Sequence, residues 1–121
     1  MLFRSALAAV MTDLQIPIEQ RDYALGFIGN TKLQLRAFFA GSQLSRYLEC
    51  GLGATGPNAN SWRVHMGLIV FADSIAPNRT RVQIAMSAGA IDSGGATKDP
   101  SMCGTTGVLE DKIKTLLAKR L

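Results

Sequence analysis

Histidine occurs once in this chain, as His65, and cysteine twice, as Cys50 and Cys103. A tetrahedral zinc centre needs four ligands, so the cysteines lack companions for metal binding. Aromatic residues make up 7% of the sequence. The thirteen basic residues outnumber the nine acidic ones, but they are scattered from Arg4 to Arg120. A nucleic-acid footprint needs a clustered basic stripe with exposed aromatics, and neither is present. No apolar run approaches the ~18 residues of a membrane span. Charged residues are 18% of the chain, below the roughly 25% usual for soluble domains. A chain of 121 residues with no repeat and no long linker is therefore expected to be one globular domain, 1–121, with some surface buried on a partner.

The catalytic patterns that the residues allow are weak ones. A Cys–His nucleophile pair would have to be Cys50 with His65, and His65 falls on the wet row of a strand. The carboxylates show no close pair on an apolar background. Glu110 and Asp111 are neighbours, and their place in the first turn of a helix explains them. The glycines of residues 51–56 mimic a phosphate loop, but no Gly-Lys-Ser/Thr and no helix follow. No catalytic residue, metal ligand or cofactor is expected.

What is present is periodicity. Phe3, Leu7, Val10 and Leu14 recur at helical spacing, with Leu2, Ala6 and Met11 widening the stripe, so residues 2–14 read as an amphipathic helix. The opening resembles a signal peptide superficially, yet Arg4 and Asp13 interrupt it and no small-residue cleavage site follows. A targeting segment, if the protein is exported, is expected outside these residues. Pro17 pushes Ile16 out of the helical region, so the helix ends at Gln15, and the next strand, residues 16–21, lies at a sheet edge or begins there. After a bend at Asn30, residues 32–39 alternate: Leu33, Leu35, Ala37 and Phe39 against Lys32, Gln34, Arg36 and Phe38.

Residues 44–50 fit a short strand or a helical turn, which periodicity alone does not separate; their alternation favours the strand, and residues 51–61 read as a loop. Two long strands follow. Trp62, Val64, Met66, Leu68 and Val70 face one way, and Arg63, His65, Gly67, Ile69 and Phe71 the other. A turn at residues 76–79 leads to the inward row Val82, Ile84, Met86, Ala88 and Ala90. Residues 91–105 read as a Gly/Ser/Thr-rich loop. Residues 107–121 read as a helix capped by Thr106 or Gly107, with Leu109, Ile113, Leu116, Leu117 and Leu121 on its apolar face. The order helix, about five antiparallel strands, helix indicates an α+β fold. Packing both helices on one face of the sheet buries all three apolar surfaces, as in a helix-grip-like two-layer sandwich.

The run of helix, Leu14-Gln15-Ile16-Pro17-Ile18, Arg21-Asp22 and Gly26-Phe27-Ile28-Gly29 resembles the opening of helix-grip domains in the BamC family of outer-membrane-assembly lipoproteins. The resemblance covers residues 3–36, and that family does not carry the cysteine pair. It implies an extracytoplasmic helix-and-sheet interaction domain and transfers no site residue. Residues 44–51, Thr55-Gly56-Pro57 and residues 103–110 are also similar to exported bacterial proteins of unknown function.

Cys50 and Cys103 admit a disulfide, two buried free thiols, or isolated metal ligands. An even number, Gly-rich surroundings and the lack of a CxxC spacing suit the disulfide. Disulfides persist in oxidising compartments, so that bond argues for a periplasmic or outer-membrane-anchored protein. Two functions then compete. One is a non-enzymatic extracytoplasmic interaction or structural domain of an envelope lipoprotein. It would bind another envelope protein through the outward row Arg36, Phe38, Arg63, His65, Ile69 and Phe71, or through the Gly-rich loops. The alternative is that a loop or a partner subunit covers its apolar members Phe38, Ile69 and Phe71. The other is a carrier of a small apolar ligand, held between the C-terminal helix and the sheet by Trp62, Met66, Met86 and Phe39.

Overall fold

The computed structural model describes residues 2–53, 56–77, 79–92 and 101–120. Helix α1 spans Leu2–Asp13. Short strand β1 (Gln20–Asp22) precedes long strand β2 (Phe27–Arg36). Three two-residue strands come next: β3 (Phe38–Phe39), β4 (Ser42–Gln43) and, after a 3-10 turn at Leu44–Arg46, β5 (Leu48–Glu49). A small ribbon, β6 (Leu52–Gly53) and β7 (Gly56–Pro57), leads into a one-turn helix α2 (Asn58–Ser61). The hairpin β8 (Arg63–Ala76) and β9 (Arg79–Ile91) is followed by β10 (Ser101–Thr105) and helix α3 (Val108–Arg120).

All the strand pairing is antiparallel, in the order β4-β3-β2-β8-β9-β10-β5, with β1 beside β2. The fold is α+β, and the order of the strands makes the sheet curl. Its two ends, β4 and β5, are joined by a single 3-10 turn and Tyr47. A flat sheet of seven strands would separate its ends by about 29 Å at ~4.8 Å per strand. Five residues, from Gln43 to Leu48, reach roughly 17 Å at most, so the ends must come together.

The core fills the inside of this curl. Val64, Met66, Leu68, Val70, Ala88 and Ala90 are its sheet wall, as the alternation requires. Val82, Ile84 and Met86 of the same row are half-buried against it. Leu7 and Val10 of α1, with Leu14 just after it, and Leu109, Ile113 and Leu117 of α3 bury their stripes in the same core. Each fully buried side chain of this kind contributes about 1.5–3 kcal/mol. Arg120 of α3 meets Asp13 of α1 at 2.6 Å, so the two helices touch at these ends. The side chains of Leu2, Phe3 and Leu121 fall outside the described residues.

Several local readings change. The strand expected over residues 16–21 is confined to Gln20–Asp22, because α1 closes with a Schellman turn. Gln15 takes φ 58°, its N–H bonds the Thr12 carbonyl, and the Ile16 N–H reaches back to Met11 at 2.9 Å. The bend at Asn30 is a β-bulge inside continuous β2, between Asn30 and Leu33. The bulge inserts a residue and exchanges the faces, so Ile28 and Leu33 are both buried at unlike parity. Residues 44–50 are mostly not a strand. Leu44, Tyr47, Leu48 and Cys50 are the buried members, and the first three lie three and four residues apart, which is a helical spacing. Residues 101–105 of the expected loop form β10, and residues 93–100 fall outside the described residues. The sheet therefore has more than the five strands expected, the extra ones very short.

Cys50 and Cys103 are bonded. The pairs Thr105–Leu48 and Gly104–Glu49 set the β10–β5 register, and the next pair in it is Cys103 opposite Cys50. Their Cα atoms are 4.3 Å apart, the narrow spacing of a non-hydrogen-bonded antiparallel pair. The bond thus fastens one end of the sheet where hydrogen bonding is thinnest. It closes a loop across a sequence separation of 53, worth about 4 kcal/mol in the chain-entropy picture.

Two substitutions test this account. Replacing both Cys50 and Cys103 by Ala is expected to lower the unfolding free energy by about 3–4 kcal/mol in denaturant titration. A loss below 1 kcal/mol would show that hydrogen bonds alone close the curl. Gly29 faces Ile69 across β2 and β8, and a Cβ there would overlap the Leu68 carbonyl and the Ile69 backbone. Gly29→Ala is expected to cost about 2–3 kcal/mol, since backbone must move.

Candidate functional site

The outward face of the sheet is built in ranks that cross the strands. At one end the register aligns Gln43 of β4, Phe38 of β3, Arg36 of β2, Arg63 of β8 and Ile91 of β9. Five strands at ~4.8 Å make this rank about 19 Å wide. The next rank holds Gln34, His65, Gly89 and Met102. At the far end Asp22, Phe27, Phe71 and Gln83 form another.

The structure therefore brings together Arg36, Phe38, Arg63 and His65, and it leaves Phe71 apart. Eight residues along β8 separate Phe71 from Arg63, roughly 26 Å. Phe71 packs on Phe27 with ring centroids 5.9 Å apart and remains 40% exposed. Phe38 is 65% exposed, although its neighbour Phe39 is buried and meets Tyr47 edge-on at 6.1 Å.

The corner that presents Phe38 is conformationally costly. Ala37 (φ 66°) and Ala40 (φ 47°) both occupy the left-handed region, and Gly41 follows at φ 83°. Each L-residue there costs on the order of 1–2 kcal/mol. The surroundings hold it: the Leu44 N–H bonds the Ala37 carbonyl at 2.8 Å. The Ala40 carbonyl accepts both the Tyr47 hydroxyl at 2.8 Å and Lys112 Nζ at 3.0 Å. Sequence alternation alone gave no signal for this corner, because two alanines carry no mark of a positive φ.

Arg36 and Arg63 stand directly opposite one another, an arrangement of like charges that destabilises a sheet. Among the described residues the ion pairs are Arg81–Asp73 and Arg120–Asp13, so neither Arg36 nor Arg63 has a carboxylate partner there. A comparison with protein families, curated proteins and solved structures finds no match to this chain. Beside the arginine rank lies a groove of about 320 Å³, lined by Thr31, His65, Gly67, Ser87, Gly89 and the 77%-exposed Met102. The small residues in it let another backbone approach the sheet closely.

No group of three or more His, Cys, Asp or Glu residues that could hold a metal occurs among the described residues. Cys50 and Cys103 are joined to each other, so the Cys50–His65 pairing has no thiol. No helix among the described residues is long and apolar enough to cross a membrane. Thr31, at the edge of the groove, donates both its N–H and its hydroxyl to the Glu19 carboxylate, each at 2.8 Å. These bonds, the backbone one first, hold the Glu19 carboxyl below its ordinary 4.5.

A carboxyl lowered on folding stabilises the fold above its unfolded value, and that contribution is lost as pH falls through the folded value. Thr31→Val removes the hydroxyl and keeps the backbone donor. The Glu19 midpoint is expected to move part of the way back toward 4.5 in an NMR titration. An unmoved midpoint would mean that the backbone bond alone sets it.

Proposed function

We propose that this chain is a non-enzymatic interaction domain of a bacterial cell envelope, working in an oxidising compartment outside the cytoplasm. In this reading it belongs to an envelope lipoprotein, with a helix-grip-like arrangement as in the BamC family. Its outer sheet face docks another envelope protein. The observation that carries the reading is the rank Phe38, Arg36 and Arg63. An exposed aromatic at a strained corner stands together with two exposed cations on β2 and β8 that have no carboxylate partner among the described residues. Strained backbone of this kind clusters at functional sites, and here it adjoins an aromatic that the core leaves outside. Arg and aromatic side chains also dominate the energetics of protein interfaces. The Cys50–Cys103 bond supports the compartment.

The alternative reading is a carrier of a small apolar ligand beneath the C-terminal helix. Leu109, Ile113 and Leu117 are at most 1% exposed in that place, which favours the interaction domain. A groove of about 420 Å³ near Leu116 and Lys112 opens instead at the surface, beside Gln15 and Gly41.

A photo-crosslinker in place of Phe38, in the protein expressed in its own cells, is expected to form an adduct with one envelope protein. The same group in place of the exposed Thr115 of α3 is expected to form none. Alkylation of the unreduced protein is expected to find no free thiol. Two alkylated cysteines, or no adduct from position 38, would overturn the reading.

A further inference from the structure

We infer that the partner of the outer sheet face is an acidic, extended polypeptide segment. The inference rests on the reading of that face as a docking surface and names its chemistry. Arg36 and Arg63 lie side by side on adjacent strands, exposed and without a carboxylate among the described residues. Each guanidinium is a planar fork that pairs bidentately with a carboxylate, and adjacent strands present two of them here. A second copy of this chain is a poor occupant. It carries a net charge of +4, and joining the same faces would bring four arginines together.

The shape beside the arginines is that of a groove able to take an extended chain. The rank adjoining Arg36 and Arg63 contains His65 and Gly89 and opens into the trough over Gly67 and Ser87. Glycine and serine leave room for a main chain, and Met102 flanks the trough with an adaptable apolar side chain. Phe38, on the other side of Arg36, offers an aromatic anchor in the same rank. An acidic segment lying along the trough would place carboxylates on the arginines and an apolar residue on Phe38. It would also relieve the opposition of like charges that the free protein maintains.

That opposition gives the inference a test independent of folding failure. Arg63→Glu turns a like-charge pair with Arg36 into an ion pair. Its thermal midpoint is expected to rise by about 2 °C, while binding is lost. The probe is a labelled ten-residue peptide of alternating Glu and Val, followed by fluorescence anisotropy with the full chain. Arg36→Glu and Arg63→Glu are each expected to weaken it at least tenfold, and Phe38→Ala three- to tenfold. Arg81→Gln, at the far end of the face and paired with Asp73, is expected to leave affinity within twofold. A Lys-for-Glu version of the peptide is expected to bind at least tenfold more weakly. No binding of the Glu peptide, or binding indifferent to Arg36 and Arg63, would overturn the inference. So would tighter, arginine-dependent binding of a ten-nucleotide single strand. If a Gln-for-Glu peptide binds equally well and still needs Phe38, the acidic partner is wrong and the docking face stands. If neither peptide binds and position 38 also gives no crosslink, both fall.

Discussion

The fold depends on one closure. A sheet whose order begins with β4 and ends with β5 must bring those strands within five residues of chain. Everything near that return is fastened. The Thr106 N–H bonds the Tyr47 carbonyl, and its hydroxyl bonds the Arg46 carbonyl at 2.7 Å. Asn60 bonds both the backbone N–H and the hydroxyl of Ser45. Asn58 is buried and donates to the Cys50 carbonyl. The disulfide adds a covalent tie one pair further along the same register. Without this closure the inner faces of α1 and α3 would have only an open sheet to pack against.

Tyr47 stands at the centre of the closure. It is fully buried, its hydroxyl is satisfied by Ala40, and Lys112 of α3 bonds the same carbonyl while lying 6.0 Å from the Tyr47 ring. One carbonyl thus links the strained corner, the return segment and the C-terminal helix. The left-handed alanines at 37 and 40 persist because these bonds over-determine the corner. The consequence appears on the other side of the sheet. Phe39 goes into the core, and Phe38 is forced outward beside Arg36. The site and the closure are therefore two faces of the same piece of chain.

Alternation along the long strands was legible, and so was the direction of every outward candidate. Arg36, Phe38, Arg63, His65 and Phe71 share the outer face, because period-two patterning fixes a side once a strand is recognised. The pairing of Cys50 with Cys103 was favoured by elimination and Gly-rich context. What patterning left open was the neighbour across each strand. Nothing in the spacing of residues 36 and 63 states that they are opposite, or that Phe71 lies a sheet-length away.

The sequence by itself determined the α+β class, the two apolar helix stripes, and the inward and outward rows. Local sterics and burial act along a few residues, so a few residues reveal them. Only the tertiary structure decided the curl, the bulge at residues 30–33, the helical reading of residues 44–48, and the meeting of two arginines with an exposed phenylalanine. Those depend on long-range register and on hydrogen bonds between segments such as Thr106 and Tyr47. Their energies come from chain elements tens of residues apart, and no local pattern contains them.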